Sequence, residues 1–213
     1  MDRRRFVATT SIGVAGLAVG CVSTSPDEPK PTDAGRAPGD AGVASSDAGS
    51  TPVDAGSQGC STTGADIEGP YYRAGVPVRS ELNLYGEEGE ALTLQGTVTD
   101  ASCAPIANAV VEIWHADPQG GYDTASQEKR YYGQASTDAE GFYAFSTLMP
   151  GRYLNGEIYR PAHIHMKVFV GTQERLTTQI YFDGDPFSAG DAFFEAERSV
   201  PVEQGTAVFA VTV

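Results

Sequence analysis

His163 and His165 stand two residues apart in Arg160-Pro161-Ala162-His163-Ile164-His165, at the head of a strand-like run. Residues i and i+2 of a strand share a face. Their Cβ atoms then lie roughly 6 to 7 Å apart, close enough for two imidazoles to converge on one ion. The chain has only three histidines, and that economy favours a ligand pair. Taken alone, a His-x-His pair serves equally well as a polar strand face without metal. Arg160 sets a permanent cation beside the pair. Next to a metal it can stabilise negative charge that develops on a bound substrate; elsewhere it is an ordinary surface ion-pair partner. Tyr122, in Gly120-Gly121-Tyr122, and Tyr153, in Pro150-Gly151-Arg152-Tyr153, stand in glycine-rich turns at strand ends, where side chains are free to reach a site. Phenolate is a hard anionic donor that suits Fe(III) better than thiolate does. Singly, each tyrosine reads as structural.

The elements that must position these residues read as all-β. Short apolar runs at Leu92–Val98, Asn108–His115, Gly141–Thr147, His163–Val170, Thr177–Phe182 and Thr206–Val213 fit strands. Asp138-Ala139-Glu140-Gly141, Pro150-Gly151 and Asp183-Gly184-Asp185-Pro186 punctuate them as turns. Several short strands with regular turns predict a β-sandwich or barrel. One short helix is expected at Asp191–Arg198. With no long helical period elsewhere, Rossmann and TIM architectures are disfavoured.

The 213 residues, 40% hydrophobic, suit one ordinary domain with accessories. A formal net charge of −14 disfavours nucleic acid, which needs clustered Lys and Arg, and leaves no basic patch for anionic lipid. Arg3-Arg4-Arg5-Phe6 leads an apolar stretch, Val7 to Gly20, and reads as a signal peptide over residues 1–21. Its start resembles a twin-arginine signal, and Leu17-Ala18-Val19-Gly20-Cys21 resembles a lipobox, with Ala18 where larger aliphatics are commoner. Cleavage there would leave Cys21 lipidated, so the expected membrane contact is through a lipid anchor alone, on an exported, cell-envelope protein. An ordinary cleaved signal is the alternative. Residues 22–59 repeat Asp-Ala-Gly at Asp33, Asp40, Asp47 and Asp54 and contain no aromatic residue, which predicts a disordered tether rather than a calcium-binding repeat. Residues 60–213 remain as the folded domain. Within it, Cys60 and Cys103 read as a disulfide in an oxidising compartment; without CxxC spacing, metal ligation is the weaker alternative.

A set of motifs then falls in one order: Glu68-Gly69-Pro70-Tyr71-Tyr72, Trp114-His115-Ala116-Asp117, Gly121-Tyr122, Thr137 to Thr147, Pro150-Gly151-Arg152-Tyr153, Arg160 to His165, and Thr177-Thr178-Gln179-Ile180-Tyr181-Phe182. In that order, over about Gly64 to Pro186, the chain resembles the intradiol ring-cleavage dioxygenases: catechol, hydroxyquinol and protocatechuate dioxygenases. The resemblance implies a β-sandwich with a mononuclear non-haem Fe(III). It implies Tyr122 and His165 as equatorial ligands and Tyr153 and His163 as axial ligands. By the same resemblance Arg160 and Gln179 lie beside the reacting ring carbon, Tyr153 accepts a substrate proton, and Gly69, Pro70 and Tyr71 wall the substrate. The implied reaction opens an aromatic ortho-diol between its hydroxyls with O2, giving a muconate-type diacid. His115 is not a ligand in this scheme, and Tyr159 is a rival for the place of Tyr153. Catechol-cleaving members often carry a helical N-terminal dimerisation region; here a signal and tether stand there, so dimerisation by that route is not carried over. A non-catalytic β-sandwich binding module anchored at the cell surface shares the strand pattern and is the alternative function.

Overall fold

The structure, a computed structural model, describes residues 59–213. The expected signal, Cys21 and the tether up to residue 58 lie outside the described residues. The strands are β1 (Ala91–Thr99), β2 (Val110–His115), β3 (Tyr132–Ser136), β4 (Phe142–Leu148), β5 (Tyr153–Asn155), β6 (Ile158–Arg160), β7 (His163–Val170), β8 (Gln173–Phe182), β9 (Ser199–Val200), β10 (Val202–Glu203), β11 (Thr206–Val208) and β12 (Val211–Thr212). One five-stranded sheet runs β3-β2-β7-β8-β9. In the other, β1 pairs antiparallel with β4 and parallel with β11 and β12, and β10 borders β11. β5 and β6 form a separate hairpin.

The two sheets make a β-sandwich around one apolar core. In β1, Leu92, Leu94 and Val98 alternate inward; Val111 and Ile113 of β2, Ile164, Met166 and Val168 of β7 and Ile180 of β8 meet them from the other sheet. This is the period-2 pattern of half-buried strands. β7 departs from it: its first six residues are all buried, so both faces of this strand are covered. The second cover is the segment from Gly59 to Ser80, which has no strand of its own and crosses the outer face of the sheet. Its backbone is tied down at Thr63 N–Thr212 O (2.9 Å), Asp66 N–Thr177 O (2.8 Å) and Arg79 N–Gln134 O (3.0 Å). Between strap and sheet lies a second small core of Val76, Trp114 and Tyr132. The Cys60–Cys103 disulfide is formed and fastens the start of the strap to the turn after β1.

Three expectations are corrected. Asp191–Arg198 is not a helix; only 3-10 turns form, at Ser188–Gly190 and Ala196–Arg198. The Phe193 carbonyl, which an α-helix would give to an amide one turn on, is taken by the Arg198 guanidinium (2.8 Å) and the Tyr181 hydroxyl (3.1 Å). The strand expected over Thr206–Val213 divides into β11 and β12, because the Phe209 carbonyl turns to accept from the buried Tyr143 hydroxyl (2.6 Å). Tyr153 stands at a strand end as expected, but as the first residue of β5 and not in the turn before it.

Candidate metal centre

His163 and His165 project from one face of β7, 2% and 1% exposed, with ring centroids 4.9 Å apart. His163 Nδ1 lies 2.7 Å from the Pro161 carbonyl. A carbonyl only accepts, so the proton sits on Nδ1 and Nε2 keeps its lone pair. Nε2 lies 3.4 Å from the Tyr122 hydroxyl. The His165 ring stacks on Trp114 (4.9 Å, 7°), its antiparallel partner on β2, and its Nδ1 is buried without a hydrogen-bond partner.

Tyr122 comes from the loop after β2 and is held from both sides. Asp117 Oδ1 accepts from the amides of Gln119 (3.0 Å) and Gly121 (2.8 Å), and Asp123 accepts from those of Ser126 (2.9 Å) and Arg130 (2.7 Å). At Gly120, with φ +87°, a Cβ would lie 2.4 Å from the Arg152 carbonyl. Only glycine lets the Tyr122 loop approach the segment that carries Tyr153. The Tyr122 ring is 5.5 Å from Tyr153 and 6.2 Å from His165, and Tyr153 is 5.6 Å from His163. The structure thus brings Tyr122, Tyr153, His163 and His165 around one small space. Tyr159 is outside it, 47% exposed and packed on Phe187. His115 is buried elsewhere, its nitrogens engaged by the Ala116 carbonyl (2.7 Å) and the Thr147 hydroxyl (2.9 Å).

Arg160 is no surface ion-pair residue. It is buried, and Asp191 grips it through Nε (2.6 Å) and Nη2 (3.4 Å). Nη2 also donates to Gln179 Oε1 (2.9 Å) and Tyr181 Oη (3.1 Å), and Nη1 lies 3.5 Å from Tyr153 Oη. Gln179 is opposite His165 in the β7–β8 ladder, and its Nε2 reaches the Ile67 carbonyl of the strap (3.3 Å). Gly69 and Tyr71 arrive on the same strap, on either side of Pro70. A Cβ on Gly69 would lie 3.1 Å from His165 Cε1, and the Tyr71 ring stacks on Tyr122 at 4.1 Å. Asp191, Tyr181, Phe193 (4.9 Å from the Arg160 guanidinium) and the stacking role of Trp114 escaped the sequence reading. The Asp191 carboxylate lies 31 residues from Arg160 in a segment expected to be helical, so no local pattern marks it.

Burial pushes the Tyr122 hydroxyl far above the usual phenol range, with Tyr153 adding to the effect and Arg160 opposing it. Burial likewise raises Tyr153 against Arg160. It lowers His163 to about 4, with Arg160 assisting, and holds His165 well below the usual imidazole value. By themselves, then, these four side chains are two neutral phenols and two neutral imidazoles. A bound cation inverts this logic, because it stabilises phenolate and needs neutral imidazole. Among the described residues no three His, Cys, Asp or Glu side chains cluster as a metal site, so a metal held here must take tyrosine oxygen. Two hard oxygens and two imidazoles, one of which has a buried ring nitrogen without a hydrogen-bond partner, fit a hard, highly charged ion.

A dioxygenase family profile matches residues 67–211. The chain is similar to catechol 1,2-dioxygenase 2 of Acinetobacter lwoffii, 36% identical over 156 residues, covering 63% of this chain and 57% of that protein. It is 33% identical over 147 residues to a chlorocatechol 1,2-dioxygenase of Pseudomonas putida, covering 60% and 56%. It thus spans little more than half the length of these relatives. Among solved structures it resembles the dioxygenase domain of a dioxygenase carbohydrate-binding protein fusion from Streptomyces sp. SirexAA-E, with TM-score 0.66, 30% identity, and 72% of this chain and 98% of that chain covered. Catechol 1,2-dioxygenase from Pseudomonas arvilla C-1 follows at TM-score 0.61 and 28% identity, covering 70% and 60%. With the family profile spanning most of the folded domain, the chain belongs to the intradiol ring-cleavage dioxygenase family.

Proposed function

We propose that the domain cleaves an aromatic ortho-diol between its hydroxyls, using O2, to a muconate-type diacid, with a mononuclear non-haem Fe(III) held by Tyr122, Tyr153, His163 and His165. The observation that carries this reading is the approach of two phenols and two imidazoles, from three separate segments, around one buried space. The similarity to proteins named catechol and chlorocatechol 1,2-dioxygenases supports the choice of diol. When bound, the ion supplies Lewis acidity and electron acceptance, which let the chelated diolate ring react with O2.

The protein's own groups do the rest. A chelating diol must shed two protons, and Tyr153 Oη, as phenolate, is placed to accept one. Arg160, 3.5 Å from that oxygen, compensates negative charge on the ring, and its planar fork gives that charge a direction. Gln179 fixes the fork from one side and the strap from the other. Gly69, Pro70 and Tyr71 exclude water and offer an aromatic face to the diol. Aerobic turnover of a diol panel tests the reading, with product mass expected to show two added oxygen atoms and the resting chain a visible tyrosinate-to-metal band that weakens in Tyr122→Phe. An iron-binding chain that leaves every diol unchanged contradicts it.

We propose export and anchoring through lipidated Cys21; the formed Cys60–Cys103 bridge supports an oxidising compartment. Cys21→Ser should move the protein from the membrane to the soluble fraction, and an unchanged distribution argues against the anchor.

A further inference from the structure

Lys167 continues the face of β7 that carries His163 and His165, and it is the one lysine buried there, 4% exposed. All three N–H donors are used: Nζ reaches Glu68 Oε2 at 2.9 Å, Glu174 Oε2 at 2.7 Å and Thr177 Oγ1 at 2.8 Å. The ammonium also lies 5.0 Å from the centre of the Tyr72 ring, whose hydroxyl donates to Glu112 (2.9 Å). Two of these partners belong to β8, the sheet itself. Glu68 does not: it belongs to the strap, and the next three residues are the pocket wall. Gly69 lies against His165 and Tyr71 against Tyr122.

We propose that Lys167 is a positioning residue for diol binding: its ion pair with Glu68 ties the Gly69-Pro70-Tyr71 wall to the strand that carries both histidines. The inference rests on the ring-opening reading of the same site. Thr177 and Glu174 hold the ammonium in place on the sheet, and Glu68 is the only partner through which it grips the strap. Tyr72, the other strap residue it touches, is separately fixed by Glu112. Losing the pair lets the wall lift, which weakens ground-state binding of the diol. Tyr153 and Arg160 touch neither Lys167 nor Glu68, and Gln179, which meets the strap only at the Ile67 carbonyl (3.3 Å), keeps its bond to Arg160 (2.9 Å), so the metal-side geometry holds.

The test compares Lys167→Met, Glu68→Gln and Glu174→Gln in the full chain, with catechol as probe. KM should rise about tenfold in the first two with kcat nearly constant, as expected for lost uniform binding. Glu174→Gln should keep the wild-type KM. The Lys167→Met/Glu68→Gln double variant should be no worse than the worse single one, since the Lys167–Glu68 pair is already lost in either. Amide hydrogen exchange of residues 67–72 should accelerate in Lys167→Met and Glu68→Gln but not in Glu174→Gln. Unchanged KM and exchange in Glu68→Gln, or equal changes in Glu174→Gln, overturn the proposal. Should Lys167→Met fail to fold, Glu68→Gln, with a half-exposed carboxylate, decides alone. A wild-type chain inactive on every diol defeats the ring-opening reading, while the exchange result still decides whether Lys167 holds the strap.

Discussion

At the scale of single residues, the site depends on keeping one cation fixed among groups that burial has neutralised. Arg160 is 5% exposed, and burial, the largest single influence, would weaken its charge; the Asp191 hydrogen bond and charge, with Tyr153 and Tyr181, together outweigh burial and hold it above its ordinary value. Asp191 also accepts from the Phe193 amide (2.7 Å), so its carboxylate is anchored before it meets the guanidinium. Breaking one partner of such a buried pair leaves the other charge uncompensated. Asp191→Asn should therefore let Arg160 reorient toward other acceptors. Turnover should fall roughly tenfold to a hundredfold, with iron content preserved, because a misplaced directional donor costs about that much. Steady-state kinetics beside metal analysis checks this, and a wild-type kcat at full iron occupancy contradicts it. Arg160 itself was legible in the sequence, through Arg-Pro-Ala-His-Ile-His; its buried partner was not, because a carboxylate 31 residues away leaves no trace in local spacing.

At the scale of elements, what was legible followed period and punctuation. The Leu92–Val98 alternation became β1, and His163–Val170 became β7 with the same bounds. β3 was missed because Gly133, Ala135 and Ser136 carry little strand propensity; pairing with β2 and the strap's Pro77 and Arg79 supplies what propensity does not. The β5–β6 hairpin was missed for its brevity, yet its register sets Tyr153 opposite Arg160. Least visible of all was the strap. Gly59–Ser80 reads as loop and is loop, but its hydrogen bonds run to β8, β3 and β12, and its side chains close the outer face of the sheet. The motif Gly69-Pro70-Tyr71 was visible as a resemblance; that it lies over His165 and Tyr122 is a property of tertiary packing. Strap and sheet together make the wet side of a sandwich into a second dry layer, and the proposed metal centre lies in that layer rather than in the core.

At the scale of the whole molecule, the buried histidines and the acidic surface pull stability in opposite directions as pH falls. His115 and His163 are both held near 4 by burial, below their ordinary value of 6.5, and His165 is lowered too. Between those values the unfolded chain binds protons that the folded chain refuses. Stability therefore rises with pH there: it is fully present above about 6.5 and is lost as pH drops toward 4. The net charge of −14 acts the other way, since acidification relieves self-repulsion. Asp123, held at about 2 by hydrogen bonds from Ser126 and the Arg130, Ser126 and Ala125 amides despite its partial burial, contributes no loss in this window. Buried imidazoles should outweigh diffuse surface charge, because desolvation of a buried ion is not screened. The metal-free chain should thus show a melting temperature flat from pH 8 to about 7 and falling steadily from about pH 6.5 to 4. His115→Gln, paired with Ile164 but with its ring engaged by Ala116 and Thr147 rather than in the proposed metal centre, should remove part of that fall and leave the plateau unchanged. Calorimetry across this range decides it: a melting temperature that climbs on acidification would mean that surface repulsion governs this fold and the buried histidines do not.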